Sequence, residues 1–145
     1  MLRKTLTRLL LVLAIITLNA AAVAAQGTTL KLMYKPGLGS YLTGDEGMTL
    51  YYFTNDTPGK TVCTDDCLVK WPALKVDRLI IGPGLEARDF GELDTADGKR
   101  VTFRGYPLYY SSKDAKPGDT NGQGAAGRWY VIDPMHFTPL HFGPY

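Results

Sequence analysis

Past its first twenty-five residues, this chain carries its apolar positions in short runs with the period of strands. The segment TLKLMYK (29–35) alternates Leu30, Leu32 and Tyr34 on one face, as a half-buried strand does. MTLYYFT (48–54) and PLYYSS (107–112) gather aromatic residues that suit a pleated surface. FGELDTADGKRVTFRG (90–105) predicts a hairpin that turns at Ala96-Asp97-Gly98, with Leu93, Val101 and Phe103 as its apolar positions. RWYVID (128–133) predicts a last strand. One short helix is expected over Asp65–Lys70, with Thr64 as N-cap and Asp65 and Asp66 in the favourable first turn. IIGPGLEARDF (80–90) and DAKPGDTNGQGAAG (114–127) read as loops. The sixteen Gly and nine Pro fit many turns and few helices. The pattern predicts an all-β fold, a small sandwich or barrel with one short helix near the cysteine pair.

Part of this pattern occurs twice. GMTLYYFTNDTPGK (47–60) is echoed by GYPLYYSSKDAKPGD (105–119). Aligning Leu50 with Leu108 places Tyr51 and Tyr52 on Tyr109 and Tyr110, and Asp56 on Asp114. Pro58-Gly59 meets Pro117-Gly118 after a one-residue insertion, and Trp71 and Trp129 each follow their leucine by twenty-one residues. Two copies of one supersecondary unit are implied, about 41–75 and 97–133, within a single domain spanning 26–145. Neither copy alone could bury its apolar face, so the two are expected to pack as a pseudo-symmetric pair.

The opening residues change the charge picture. Arg3, Lys4 and Arg8 lead an apolar stretch from Leu9 to Leu18, and Ala20–Ala25 is rich in small residues. This is the pattern of a secretory signal peptide over 1–25, cleaved before Ala25 or Gln26. Its loss removes three of the sixteen basic residues and no acidic one, leaving 13 against 14 and a net charge of −1. No basic surface for nucleic acid is implied. No later run is long enough for a transmembrane segment. Cys63 and Cys67, the only cysteines, are expected to form a disulfide in an oxidising compartment. A loop this short restricts the unfolded chain little, so the bond's expected role is local: fixing the turn that brings Trp71 inward.

Candidate chemistry is sparse, and no catalytic constellation is expected. Gly122-Gln123-Gly124-Ala125-Ala126-Gly127 spells G-x-G-x-x-G, but a strand follows it where a dinucleotide site requires a helix. Asp119, Asn121 and Gly124 resemble the start of a calcium loop, yet Tyr130 stands where its bidentate Glu belongs. Asp56 and Asp114 could act as a carboxylate pair; as structural groups they would accept backbone N–H bonds in the turns leading to Pro-Gly. Adjacent residues of a strand face opposite ways, so one tyrosine of each pair is expected outward, where the outer rings could form a binding surface. An alternative ligand set for copper or haem draws on Cys63, Cys67, Met135, His136 and His141.

The stretches 41–74 and 97–132 resemble a family of bacterial secreted proteins and lipoproteins with a Y-x-[FWY]-x-x-D motif, secreted repeats of unknown function. Tyr51, Phe53 and Asp56 fit the motif in the first copy. In the second, Tyr109 and Asp114 fit, while Ser111 stands where an aromatic is expected, so the copies are expected to play unequal roles. Some relatives carry a lipid on a cysteine that this chain lacks, which implies a form exported without that anchor, secreted or periplasmic. The expected function is an exported, non-enzymatic binding or envelope-associated module without cofactor, its partner a protein, a glycan or a small ligand. The alternative is a copper- or haem-associated periplasmic protein.

Overall fold

The structure, a computed structural model, describes residues 27–140; the predicted signal peptide and His141 lie outside them. Eight strands form three sheets among the described residues. β1 (Thr28–Lys35), β2 (Gly39–Thr43) and β4 (Leu79–Ile81) make the first, in the order β2-β1-β4. β3 (Tyr51–Phe53) pairs antiparallel with β8 (Trp129–Val131) in the second. β5 (Phe90–Thr95), β6 (Gly98–Phe103) and β7 (Tyr106–Pro107) form the third. A five-residue helix, α1 (Asp66–Lys70), precedes Trp71. The mostly β fold is the expected one, and the barrel alternative is corrected: the sheets do not close.

Several local expectations change. The stretch read as a connecting loop contributes β4, because Leu79–Ile81 pairs in parallel with Thr28–Leu30 and places Leu79 and Ile81 against the core. β1 buries Leu30, but Tyr34 is 71 % exposed, since the strand runs past the edge of the core into its hairpin. Thr64 is not the helix cap. Asp65 takes that place with φ of 48° and no side-chain bond, while the Thr64 carbonyl accepts the Cys67 N–H. The Cys63–Cys67 disulfide, with Cα atoms 5.3 Å apart, closes this turn.

The two copies are interwoven. At the centre, Tyr51 and Tyr109 exchange both backbone hydrogen bonds, at 2.8 and 3.0 Å. These are equivalent residues, so a pseudo-twofold axis passes between them. On either side, each copy's closing segment pairs with the other copy's Leu-Tyr-Tyr strand: Val131 opposite Tyr51, and Ala73 opposite Tyr109. One step further, Leu42 donates to Ile132 as Val101 donates to Leu74. The Leu-Tyr-Tyr strands are thus covered on both faces. One face joins a cluster around Leu50, Tyr52, Leu74, Phe103, Leu108 and Ile132. The other joins Cys63, Trp71 and Trp129 around Tyr51 and Tyr109.

Candidate functional site

The tyrosines and aspartates of the repeated motif meet across the pseudo-twofold axis. Tyr51 Oη donates to Asp114 Oδ2 at 2.7 Å, and Tyr109 Oη donates to Asp56 Oδ2 at 2.6 Å. Each phenol therefore holds the carboxylate of the other copy. The second oxygen of each carboxylate accepts a backbone N–H, from Val62 to Asp56 and from Asn121 to Asp114, both at 2.8 Å. The turn-holding role expected of the aspartates is present, and the cross-repeat bond adds to it. Burial pushes the carboxyls of Asp56 and Asp114 above the ordinary carboxylate range, with the tyrosine bonds pulling them partly back. Burial, assisted by the neighbouring carboxylate, pushes both phenols up as well, so they remain hydrogen-bond donors at any ordinary pH.

The outward tyrosine surface is not formed. Tyr51 and Tyr109 are fully buried and Tyr52 is 4 % exposed, because both faces of these strands are covered. Tyr110 is half-buried, its hydroxyl accepting the Asp45 N–H. Gly44 makes room for it: a Cβ there would lie 2.3 Å from Tyr110 Oη.

Above Tyr51 and Tyr109, Trp71 and Trp129 stack face to face, centroids 3.9 Å apart and 3° from parallel. Phe53 stacks on Trp129 at 4.3 Å. Three parallel rings result, and Ser111 occupies the place equivalent to Phe53 beside Trp71. Gly122 belongs to this site too, since a Cβ there would come within 2.8 Å of Tyr51 and 2.9 Å of Trp71. Its N–H donates to Tyr51 Oη. The glycine-rich 122–127 segment is therefore a series of hydrogen-bonded turns closing over Tyr51, with Gly124 donating to Trp129.

Arg100 was not singled out by sequence reasoning. It is 1 % exposed and donates to Asp97 (2.8 Å), Thr61 (3.2 Å), the Cys63 carbonyl (3.0 Å) and Tyr109 Oη (3.4 Å). Asp97, at the hairpin turn, also meets Lys75 at 2.6 Å. Lys75 first, then Thr95 and Arg100, hold the Asp97 carboxyl well below the usual range. A charged chain Asp56–Tyr109–Arg100–Asp97–Lys75 thus runs from the core to the surface. Strand alternation gives no sign of it, because β6 is buried on both faces from Arg100 to Phe103. Beside Arg100, a cleft of about 620 Å³ separates the β5–β6 hairpin from the 59–68 segment, walled by Thr61, Thr64, Asp65, Leu68, Leu93 and Asp94.

The described residues of the copper or haem alternative, Cys63, Cys67, Met135 and His136, are not gathered. Cys63 and Cys67 are joined to each other. Met135 is 69 % exposed, and His136 bonds Asp133 at 2.9 Å on an exposed turn. Met135 lines a separate cleft with Arg88, Asp89 and Arg104. Among the described residues no three His, Cys, Asp or Glu side chains stand close enough to share a metal ion.

A protein woven from two such copies, each clasping the other's carboxylate, is a disulfide-closed β-repeat protein. The chain belongs to the family described as a secreted repeat of unknown function, matched over residues 33–75 and 93–133. No curated protein and no solved structure matches it significantly. Among the described residues, no helix is long and apolar enough to cross a membrane.

Proposed function

We propose that this protein is an exported, non-catalytic binding module of the cell envelope whose site is the cleft between the β5–β6 hairpin and the 59–68 segment. The observation that carries the reading is the asymmetry of the two halves. Lys35 ties the β1–β2 hairpin to Gly118 and Thr120 on the opposite side of the axis. The equivalent β5–β6 hairpin is tied to the 59–68 segment at its Arg100 end, and the cleft opens beside that contact. Its volume lies within the roughly 300–1,000 Å³ of small-ligand sites. Threonine hydroxyls and the carboxylates of Asp65 and Asp94 alternate with Leu68 and Leu93 on the walls, a lining that suits a neutral, hydroxyl-rich ligand such as a short glycan. The ionisable groups that stand together are engaged in hydrogen bonds between the copies, which supports a scaffold role for them. In this reading the module works without a resident metal or haem.

The test is calorimetric titration of the mature chain with a panel of neutral mono- and oligosaccharides. Saturable binding that disappears in Leu93→Trp, which fills the cleft, is the expected result. No binding by any member of the panel, or binding unchanged in Leu93→Trp, refutes it.

A further inference from the structure

We infer a second ligand site, for a single-ring aromatic carboxylate, in the slot that Ser111 leaves open beside Trp71. The first copy shows what such a slot accommodates: Phe53 fills the equivalent place and lies parallel to Trp129, 10° between planes. In the second copy Ser111 has no ring to offer. A cleft of about 200 Å³ opens there, lined by Lys70, Trp71, Ser111, Ser112, Lys113 and Trp129. An apolar cavity of about 150 Å³ admits benzene, so this cleft has room for one ring with a small substituent. A flat ring entering it meets Trp71 and Trp129, which are 8 % and 5 % exposed, at the margin of the stack, with Ala125 and Ala126 beside them.

Charge specifies the substituent. In the first copy the residues preceding the tryptophan of the other half and the motif aspartate are Arg128 and Asn55, and they bond each other at 2.9 Å. The equivalents around the slot are Lys70 and Lys113, two exposed cations that cannot pair with one another. An anion at the mouth of the cleft meets both cations at its rim, and the Ser112 hydroxyl adds a donor beside it. An aromatic floor with a cationic rim selects an aromatic acid over an aliphatic acid or a neutral ring.

Trp71 and Trp129 are the only tryptophans, so their fluorescence and their two indole N–H signals in a ¹⁵N spectrum report on the stack alone. The experiment titrates the mature protein with benzoate, and with cyclohexanecarboxylate, benzamide and N-acetylphenylalanine as controls. Benzoate is expected to shift both indole signals saturably, and each control to bind at least about 10-fold more weakly. Ser111→Phe is expected to abolish benzoate binding and to raise Tm by a few degrees, as the protein's own ring completes the stack. Lys113→Glu, at an exposed position, is expected to weaken benzoate about 10-fold without moving Tm. Absence of a saturable shift at 10 mM benzoate, or equal affinity in Lys113→Glu, overturns the proposal whether or not Ser111→Phe folds. Equal binding of cyclohexanecarboxylate overturns the aromatic class, and preference for N-acetylphenylalanine would reassign the site to peptide C-termini and overturn the small-acid reading. None of these outcomes depends on the hairpin cleft.

Discussion

The two halves of the molecule repeat the same clasp, Tyr51 on Asp114 and Tyr109 on Asp56, yet they surround it differently. On the Tyr109 side stand a buried guanidinium, the disulfide turn and a large cleft; on the Tyr51 side Tyr41 takes the place of Arg100, and Gly122 that of Cys63. On the stack, Phe53 closes one end and Ser111 leaves the other open. The difference separates what holds the copies together from what distinguishes them. The clasp and the Trp–Trp contact lie on the axis, where any change acts on both copies at once. Ser111, Lys113 and the β5–β6 hairpin lie away from it and can vary without disturbing the weave.

The largest effect is expected at the stack. Trp129 has a ring on each face, from Phe53 and from Trp71, so Trp129→Ala should cost about 3–5 kcal/mol. Trp71→Ala loses one stacked partner instead of two and should cost about 1 kcal/mol less. Urea unfolding of both variants tests this, and equal losses would mean that Phe53 contributes nothing through stacking.

A smaller contrast is expected at the clasp. Tyr109→Phe removes a hydroxyl shared by Asp56, Thr61 and Arg100, leaving two fully buried charged groups short of a partner. The expected cost is about 2–4 kcal/mol. Tyr51→Phe frees the neutral Gly122 N–H and Asp114, which is only partly buried and keeps its bond to Asn121, so about 1–3 kcal/mol is expected. If the order is reversed, the Arg100 network does not strengthen its half.

The smallest effect is a pH dependence of opposite sign in two carboxylates. Asp97 is held below its unfolded value, so the folded state binds fewer protons there. Its contribution is present above about pH 4, the unfolded carboxylate value, and is lost as the pH falls below it. Asp114 is raised by burial, so the folded state binds more protons, and its contribution is lost as the pH rises above about pH 4. Denaturation between pH 3 and 7 should therefore show less acid destabilisation in Asp97→Asn and a smaller decline toward neutral pH in Asp114→Asn. The same pH profile in both variants would show that the two carboxylates are not in different environments.

Much of the architecture was legible in residues that act locally or through repetition. Spacing the tryptophans equally from Leu50 and Leu108 revealed the duplication, and the β5–β6 hairpin turns at Ala96 and Asp97 as its turn residues direct. The departure at Ser111 falls beside Trp71, in the place where Phe53 stacks on Trp129 in the other copy. Three things misled: the outward tyrosines, the Thr64 cap and the loop that became β4. Alternation implies one wet face for a strand, and these strands have none.

The sequence by itself determined that the chain is a doubled, β-rich one with a short turn between two cysteines, because periodicity, turn chemistry and cysteine spacing act over a few residues. Only the tertiary structure decided that each tyrosine clasps the aspartate of the other copy, that Arg100 is buried at its side, and that a cleft opens beside the β5–β6 hairpin. The clasps join partners more than fifty residues apart, Tyr51 with Asp114 and Tyr109 with Asp56, and Arg100 reaches Thr61 across 39 residues. Nothing in a local pattern specifies which strand lies on the other side of the axis; that is set when both copies bury their apolar faces together.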